Sequence, residues 1–117
     1  MRRDFEDYLL KVQKQRDDML KAVDEANALA LEGKIEESQV QAIQTYFNTL
    51  EANYQRILYC KYLYTLPPKF IQRLRQKKLT EELKKFLEKH ADKDSILEEN
   101  KECVENTEAI VEEIKNG

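Results

Sequence analysis

The chain has 117 residues, of which 37% are charged and 41% hydrophobic, and its net charge is -3 at neutral pH. This length fits one domain, residues 1–117, and the abundance of Glu, Lys, Leu, Gln and Ala is typical of solvated helices. No stretch approaches the about 20 uncharged apolar residues of a membrane span, and residues 1–4 lead into a charged segment rather than an apolar signal region. We therefore expect a cytoplasmic protein without a membrane partner.

The first predicted element is a helix over about residues 4–32. Apolar residues recur there at alternating spacings of three and four, which is the pattern of a helix with one apolar seam. The seam residues are Phe5, Leu9, Val12, Met19, Val23, Ala26 and Ala30. Arg16 occupies the one polar position of this seam. Gly33 follows and can adopt the left-handed conformation that ends a helix.

The second predicted helix covers about residues 36–65 and carries a matching seam. Its members are Val40, Ile43, Phe47, Leu50, Tyr54, Ile57 and Tyr64, with Lys61 as the polar interruption. A short link after Gly33 suits an antiparallel pair, so we predict a long helical hairpin within residues 1–66. Its register pairs Val12 with Ile57, Met19 with Leu50, Val23 with Phe47, and Lys61 with Leu9. The same register places Arg16 beside Tyr54, where the guanidinium would lie over the ring or bind the hydroxyl.

The end of the second helix is apolar on more than one side. Four side chains there project away from the hairpin partner: Tyr59, Tyr62, Leu63 and Leu66. Because a helix that is apolar all round is covered on several sides, either the tail of the same chain or a second molecule must bury them. These four residues are a possible partner interface, including one between two copies of the chain.

The tail, residues 67–117, is predicted to form two or three shorter helices that pack back as a bundle. Pro68 suits the first position of one helix, Thr80 caps a second that ends near His90, and Ser95 with Glu98 forms a capping box for a last helix to about Lys115. The apolar stripe of that last helix is Leu97, Val104, Val111 and Ile114. If these helices cover residues 54–66, the hairpin tip near residues 26–43 projects beyond the bundle.

Charge is divided unevenly along the chain. Residues 61–90 carry 9 basic and 3 acidic side chains, whereas residues 91–117 carry 3 basic and 9 acidic ones. One hypothesis is that a basic surface binds nucleic acid, through Lys69, Arg73, Arg75, Lys77, Lys78, Lys84 and Lys85. A second hypothesis is that the basic helices lie against the acidic last helix. A third is that the acidic helix docks on a basic protein surface or imitates DNA.

Residue types that perform catalysis are scarce. The chain contains one histidine, two serines and two cysteines, Cys60 and Cys103, that are far apart in sequence. His90 most simply interacts with the end of its helix, and neither a phosphate-binding glycine loop nor a metal-ligand spacing is present. We therefore expect no enzyme, no cofactor and no metal, and two free thiols.

These patterns predict an all-α fold and two functions. The first is a non-catalytic protein-protein interaction module, such as an adaptor, assembly factor or small inhibitor, that presents the helical hairpin and can self-associate. The second is a nucleic-acid-binding accessory protein that uses residues 69–89. Small, charged, motif-poor helical chains of this kind resemble accessory proteins of phages and mobile elements.

Overall fold

The computed structural model describes residues 2–65 and 93–117, together with positions 77, 81 and 85. Side chains are described for residues 6–59, 94–117 and those three positions. The main elements are three helices: α1 spans Arg2–Leu31, α2 spans Glu37–Thr65 and α3 spans Lys93–Asn116. The three helices pack together, and the described residues include no strand. None of the helices described is sufficiently long and apolar to cross a membrane.

Gly33 ends α1 in the way its lack of a side chain allows. Its φ is +72°, in the left-handed region that other residues rarely adopt. The Gly33 amide donates to the Ala30 carbonyl and the Lys34 amide donates to the Leu29 carbonyl, both at 3.0 Å. This pair of bonds is the Schellman arrangement, which satisfies carbonyls that the end of a helix would leave without partners.

The start of α2 is capped by its own side chains. The Glu36 carbonyl accepts bonds from the amides of Gln39 and Val40, each at 3.0 Å. The Gln39 side-chain oxygen in turn accepts a 2.9 Å bond from the Glu36 amide, which is one half of a capping box. The link between α1 and α2 is therefore short and hydrogen-bonded at both ends.

The core consists of three apolar clusters stacked along the helices. One contains Tyr8, Leu9, Val12, Ile57 and Ile96, with Tyr54 and Leu97 packed against it. The next contains Met19, Leu50, Cys103 and Val104, with Val23, Tyr46 and Phe47 against it. The third contains Ala26, Leu29, Ile43, Val111 and Ile114, with Val23, Ile35 and Ile110 against it. Each cluster includes residues from all three helices.

The clusters also give the directions of the helices. The start of α1 shares a cluster with the end of α2, and the end of α1 shares one with the start of α2, so these helices run in opposite directions. α3 runs parallel to α1. The predicted pairs Val12 with Ile57, Met19 with Leu50, and Val23 with Phe47 each lie in one cluster. The Lys61 side chain lies outside the described residues, so its predicted pairing with Leu9 stays a prediction.

α3 corrects two predictions about the tail. Its last turns pack against the ends of α1 and α2 next to Gly33, through Val111 and Ile114. The hairpin tip therefore does not project beyond the bundle, because α3 has 24 residues and runs most of the length of its neighbours. Ser95 is also not the N-cap of this helix, since α3 includes Lys93 and Ser95 lies inside its first turn.

Candidate partner-binding groove

The α1 and α2 pair has two long sides, and α3 covers one of them. The covered side contains a layer of amides between the first two apolar clusters. Its buried members are Asn53 on α2 and Asn100 on α3, of which Asn100 has no exposed surface. Gln15 on α1 is half-buried and completes the layer. Each of the three helices thus contributes one polar residue to this layer.

Hydrogen bonds join this amide layer across all three helices. The Asn53 amide nitrogen donates to the Asn100 side-chain oxygen at 2.8 Å and to Glu99 at 2.9 Å. The Asn100 amide nitrogen donates to the Gln15 oxygen at 3.1 Å, and Gln15 donates to the Leu97 carbonyl at 2.9 Å. Because buried amides are costly without partners, these bonds allow the layer to exist in an apolar core.

The opposite side of the pair is closed at its middle by one ion pair. The Arg16 guanidinium makes two bonds to the Glu51 carboxylate, at 2.8 and 3.2 Å. Its Cζ atom also lies 4.7 Å from the centre of the Tyr54 ring, which confirms that Arg16 lies beside Tyr54 and shows the contact over the ring. The hydrogen bond from Arg16 lowers the pKa of Glu51 from its ordinary value of 4.5.

Between this ion pair and the Gly33 turn, none of the three described helices covers the same side. A groove with a cavity volume of about 300 Å³ lies there, without any α3 residue in its wall. Its walls come from α1, α2 and the turn, and consist of Val23, Ala26, Asn27, Ala30, Ile35, Val40, Ile43, Gln44 and Phe47. The groove is therefore apolar except for two amides.

The surroundings of the groove are unusual for so charged a chain. Residues 26–31 and 38–50 contain no charged side chain. Leu31 is 91% exposed and lies four residues after Asn27, which puts the two on one face of α1. Val40 is 43% exposed within the groove itself. Uncharged apolar surface of this kind is a candidate site for another protein.

Two predicted seam residues belong to this groove instead of the core. Ala30 and Val40 were expected to lie between α1 and α2, but both are exposed and line the open groove. The face of α1 that packs in the third cluster is the one that carries Ala26 and Leu29, so Ala30 lies beside the core and not in it. The seam therefore opens outward next to the turn.

The predicted partner interface at the end of α2 is described only in part. The Tyr59 side chain is 39% exposed. Tyr62 and Leu63 lie within α2, but their side chains, and all of Leu66, are outside the described residues. The predicted interface of these four residues therefore lies largely outside the described residues.

The predicted nucleic-acid contacts are also largely outside the described residues. Lys77 and Lys85 are helical and exposed, as is Glu81 between them. The other five, namely Lys69, Arg73, Arg75, Lys78 and Lys84, are not described. The predicted helices that begin near Pro68 and Thr80 fall in the same part of the chain. A basic nucleic-acid-binding surface accordingly remains a prediction.

Two buried groups with altered pKa values lie away from the groove. Burial raises the pKa of the Cys103 thiol, and the nearby Glu99 and Glu102 raise it further. Burial also raises the pKa of the Tyr8 hydroxyl, with a smaller contribution from Asp94. Cys103 is a free thiol, and both groups stay protonated near neutral pH. Within residues 2–65 and 93–117, no group of three or more His, Cys, Asp or Glu side chains could hold a metal ion.

Sequence reasoning missed the amide layer, although a signal for it exists. The buried and half-buried face of α3 follows the spacing 4-3-4-3-4 through Ile96, Asn100, Cys103, Thr107, Ile110 and Ile114. Counting only apolar residues hides this pattern, because Asn100 and Thr107 are polar. Thr107 is fully buried and donates a 2.8 Å bond to the Cys103 carbonyl. A spacing test that accepts small polar residues would have found the seam.

Comparison of the chain with protein-family models, with curated proteins and with solved structures finds no match in any of the three.

Proposed function

We propose that the chain is a non-catalytic protein-protein interaction module whose binding surface is the open groove beside Gly33. The single observation that carries this proposal is the groove itself, which is about 300 Å³ in volume and apolar in its walls, with the almost fully exposed Leu31 beside it. Apolar surface next to a rigid helical scaffold is the kind of site that an amphipathic helix of a partner can occupy. An adaptor, an assembly factor or a small inhibitor would use it in this way.

The proposal includes a particular arrangement of the whole chain. Residues 1–66 form an antiparallel hairpin, and the C-terminal helices pack back on it to make one helical domain of residues 1–117. The cluster contacts of α1, α2 and α3 support this arrangement. Cytoplasmic location is part of the proposal too, because a free buried thiol such as Cys103 suits a reducing compartment.

Rigidity of the groove supports its use in binding. The Gly33 turn is hydrogen-bonded at the end of α1, and the Arg16 to Glu51 ion pair joins α1 to α2 at the other limit of the groove. Val23 and Phe47 are half-buried and pack against the core from the groove wall. A site that is formed before binding loses less conformational entropy when its partner arrives.

The test is capture of a partner from a lysate of the source cells by the immobilised chain, with nuclease added. Ala30→Arg puts a long charged side chain into the groove, whereas Ala28→Arg makes the same change at an exposed α1 position that does not line it. We expect the wild type and Ala28→Arg to retain the same protein and Ala30→Arg to lose it.

Equal capture by all three proteins would contradict the groove as the binding surface. Capture that disappears when nuclease is added would instead support the nucleic-acid alternative, which places contacts in residues 69–89. Reproducible turnover of a substrate would contradict a non-catalytic role.

A further inference from the structure

The chemistry of the groove points to its occupant, and we propose that it binds the same groove on a second copy of this chain. This inference rests on the proposed function, since it identifies the partner of that same surface. A symmetric pair requires one surface to supply both halves of every contact. The shape, the polar groups and the charge of the groove and of the residues beside it each meet this requirement.

Shape is the first of these properties. The surface holds a concave part, the groove, and a protruding part, the 91% exposed Leu31. In a twofold pair, Leu31 of each copy enters the groove of the other, next to Ala30 and Val40. Both Leu31 side chains then leave water in one step, so each contact contributes twice.

The second property is the pair of polar side chains in the walls. They are Asn27 and Gln44, one on each helix. An amide carries both a donor and an acceptor, so it can pair with an identical amide on another copy. A carboxylate or an ammonium group in these positions would instead meet its own charge across the twofold axis.

Charge over the wider surface is the third property. The chain has a net charge of -3, and the outward face of α3 is acidic, with exposed Glu98, Glu102, Glu105, Glu108, Glu112 and Glu113. Two copies that met at α3 would oppose these carboxylates, which costs free energy. Residues 26–31 and 38–50 carry no charge, and in the turn between them Glu32 is paired with Lys34 at 3.1 Å, so two copies that meet there oppose fewer carboxylates than two that meet at α3.

Sedimentation analysis of the full chain over about 5 µM to 1 mM tests the pairing, because a short groove contact is expected to have a dissociation constant on the order of 10–100 µM. The expected mass rises from 13.9 kDa toward twice that value. Leu31→Asp should raise the dissociation constant at least about tenfold, since both copies lose the contact. Leu10→Asp changes an equally simple exposed leucine, 62% exposed and outside the groove walls, and should leave the dimer unchanged.

Folding of each variant is checked by circular dichroism, and an exposed position such as Leu31 is expected to tolerate aspartate. A wild type that remains at 13.9 kDa throughout would overturn the pairing, whereas the proposed function would still be decided by the Ala30→Arg capture experiment. A dimer that is unaffected by Leu31→Asp would also overturn it, and would place the contact elsewhere, for instance at Tyr59. A dimer lost in Leu31→Asp and kept in Leu10→Asp supports it.

Discussion

The two sides of the α1 and α2 pair are built differently. The side that α3 covers contains the hydrogen-bonded amides of Gln15, Asn53 and Asn100 in its core. The open side next to Gly33 contains apolar walls and two solvent-accessible amides, without a charge in residues 26–31 or 38–50. The covered side fixes the position of α3, because each buried amide needs a hydrogen-bonding group opposite it. The open side requires little of a binding partner except an apolar surface.

This difference predicts how each side responds to substitution. On the covered side, losing one amide breaks hydrogen bonds of its neighbours in a largely buried environment, so single changes are costly. On the open side, removing an amide side chain leaves polar groups that water can reach and hydrogen-bond. Stability should therefore depend strongly on the covered side, while association depends on the open side.

The largest effect is expected at the centre of the amide layer. Asn100→Ala removes one of the two hydrogen-bond partners of Gln15 and one of the two of Asn53, and leaves a cavity, so we expect a loss of about 2–4 kcal/mol in the free energy of unfolding. Urea denaturation measures it. Asn106→Ala is the matched control, an exposed asparagine on the same helix, and should change stability by less than about 1 kcal/mol. Equal effects of the two substitutions would contradict the importance of the layer.

A smaller loss is expected at the turn beside the groove. Gly33→Ala should cost about 1–2 kcal/mol, because a φ of +72° is strained for a residue with a side chain. Crowding adds nothing, since a Cβ at this position meets no atom within 4 Å. Gly33→Asn should cost less than Gly33→Ala, because asparagine tolerates this conformation better. Thermal or urea unfolding gives the order, and a stabilised Gly33→Ala would show that the turn is not left-handed.

The Arg16–Glu51 ion pair should contribute less to the free energy of unfolding than the amide layer or the Gly33 turn. Glu51→Gln is expected to cost about 1 kcal/mol at neutral pH, since the pair is only partly buried. Because folding lowers the pKa of Glu51 below 4.5, its contribution is present above that pH and is lost as the pH falls through the folded-state pKa. The stability difference between wild type and Glu51→Gln should therefore shrink below pH 4.5.

Urea unfolding at several pH values measures that difference. Glu105→Gln provides the control, at an exposed position on α3, and should change stability by less than about 0.5 kcal/mol. A difference between wild type and Glu51→Gln that is constant from pH 7 to pH 3 would argue against an ion-pair contribution.

The smallest effect is expected in the open groove. Val40→Ala should change the stability of the monomer by less than about 0.5 kcal/mol, because the side chain is 43% exposed and alanine favours helix formation. If the groove is covered in a dimer, the destabilisation should grow with protein concentration. Thermal unfolding at low and high concentration checks this. Leu50→Ala, at a fully buried position of α2 outside the groove walls, should cost about 2–4 kcal/mol at every concentration.

Much of the helical framework follows from the sequence. The regular seams and Gly33 locate the first two helices, predicted at about 4–32 and 36–65 and described as Arg2–Leu31 and Glu37–Thr65. Seam register also predicts that Arg16 lies beside Tyr54, because a hairpin with a short turn leaves few alternatives. Local periodicity is sufficient for both results.

Other features depend on how three helices share one core, which periodicity along one helix does not contain. The extension of α3 to the turn, the burial of Asn100 and the exposure of Ala30 all follow from where the third helix lies. Hydropathy treats asparagine as a surface residue, whereas Asn100 is buried because Asn53 and Gln15 are opposite it. The candidate groove could not be predicted for the same reason, since it is the side left uncovered by α3.

The amide layer also affects how the chain reaches its folded state. Seams that repeat every seven residues permit misfolded arrangements in which α3 has slid along its neighbours by one repeat with little change in apolar contact. Such a slide would separate Asn100 from Gln15 and Asn53 and break the hydrogen bonds that join them. The resulting unpaired amides would raise the free energy of each slid arrangement. A single layer of three side chains thus widens the energy gap between the native state and its nearest competitors.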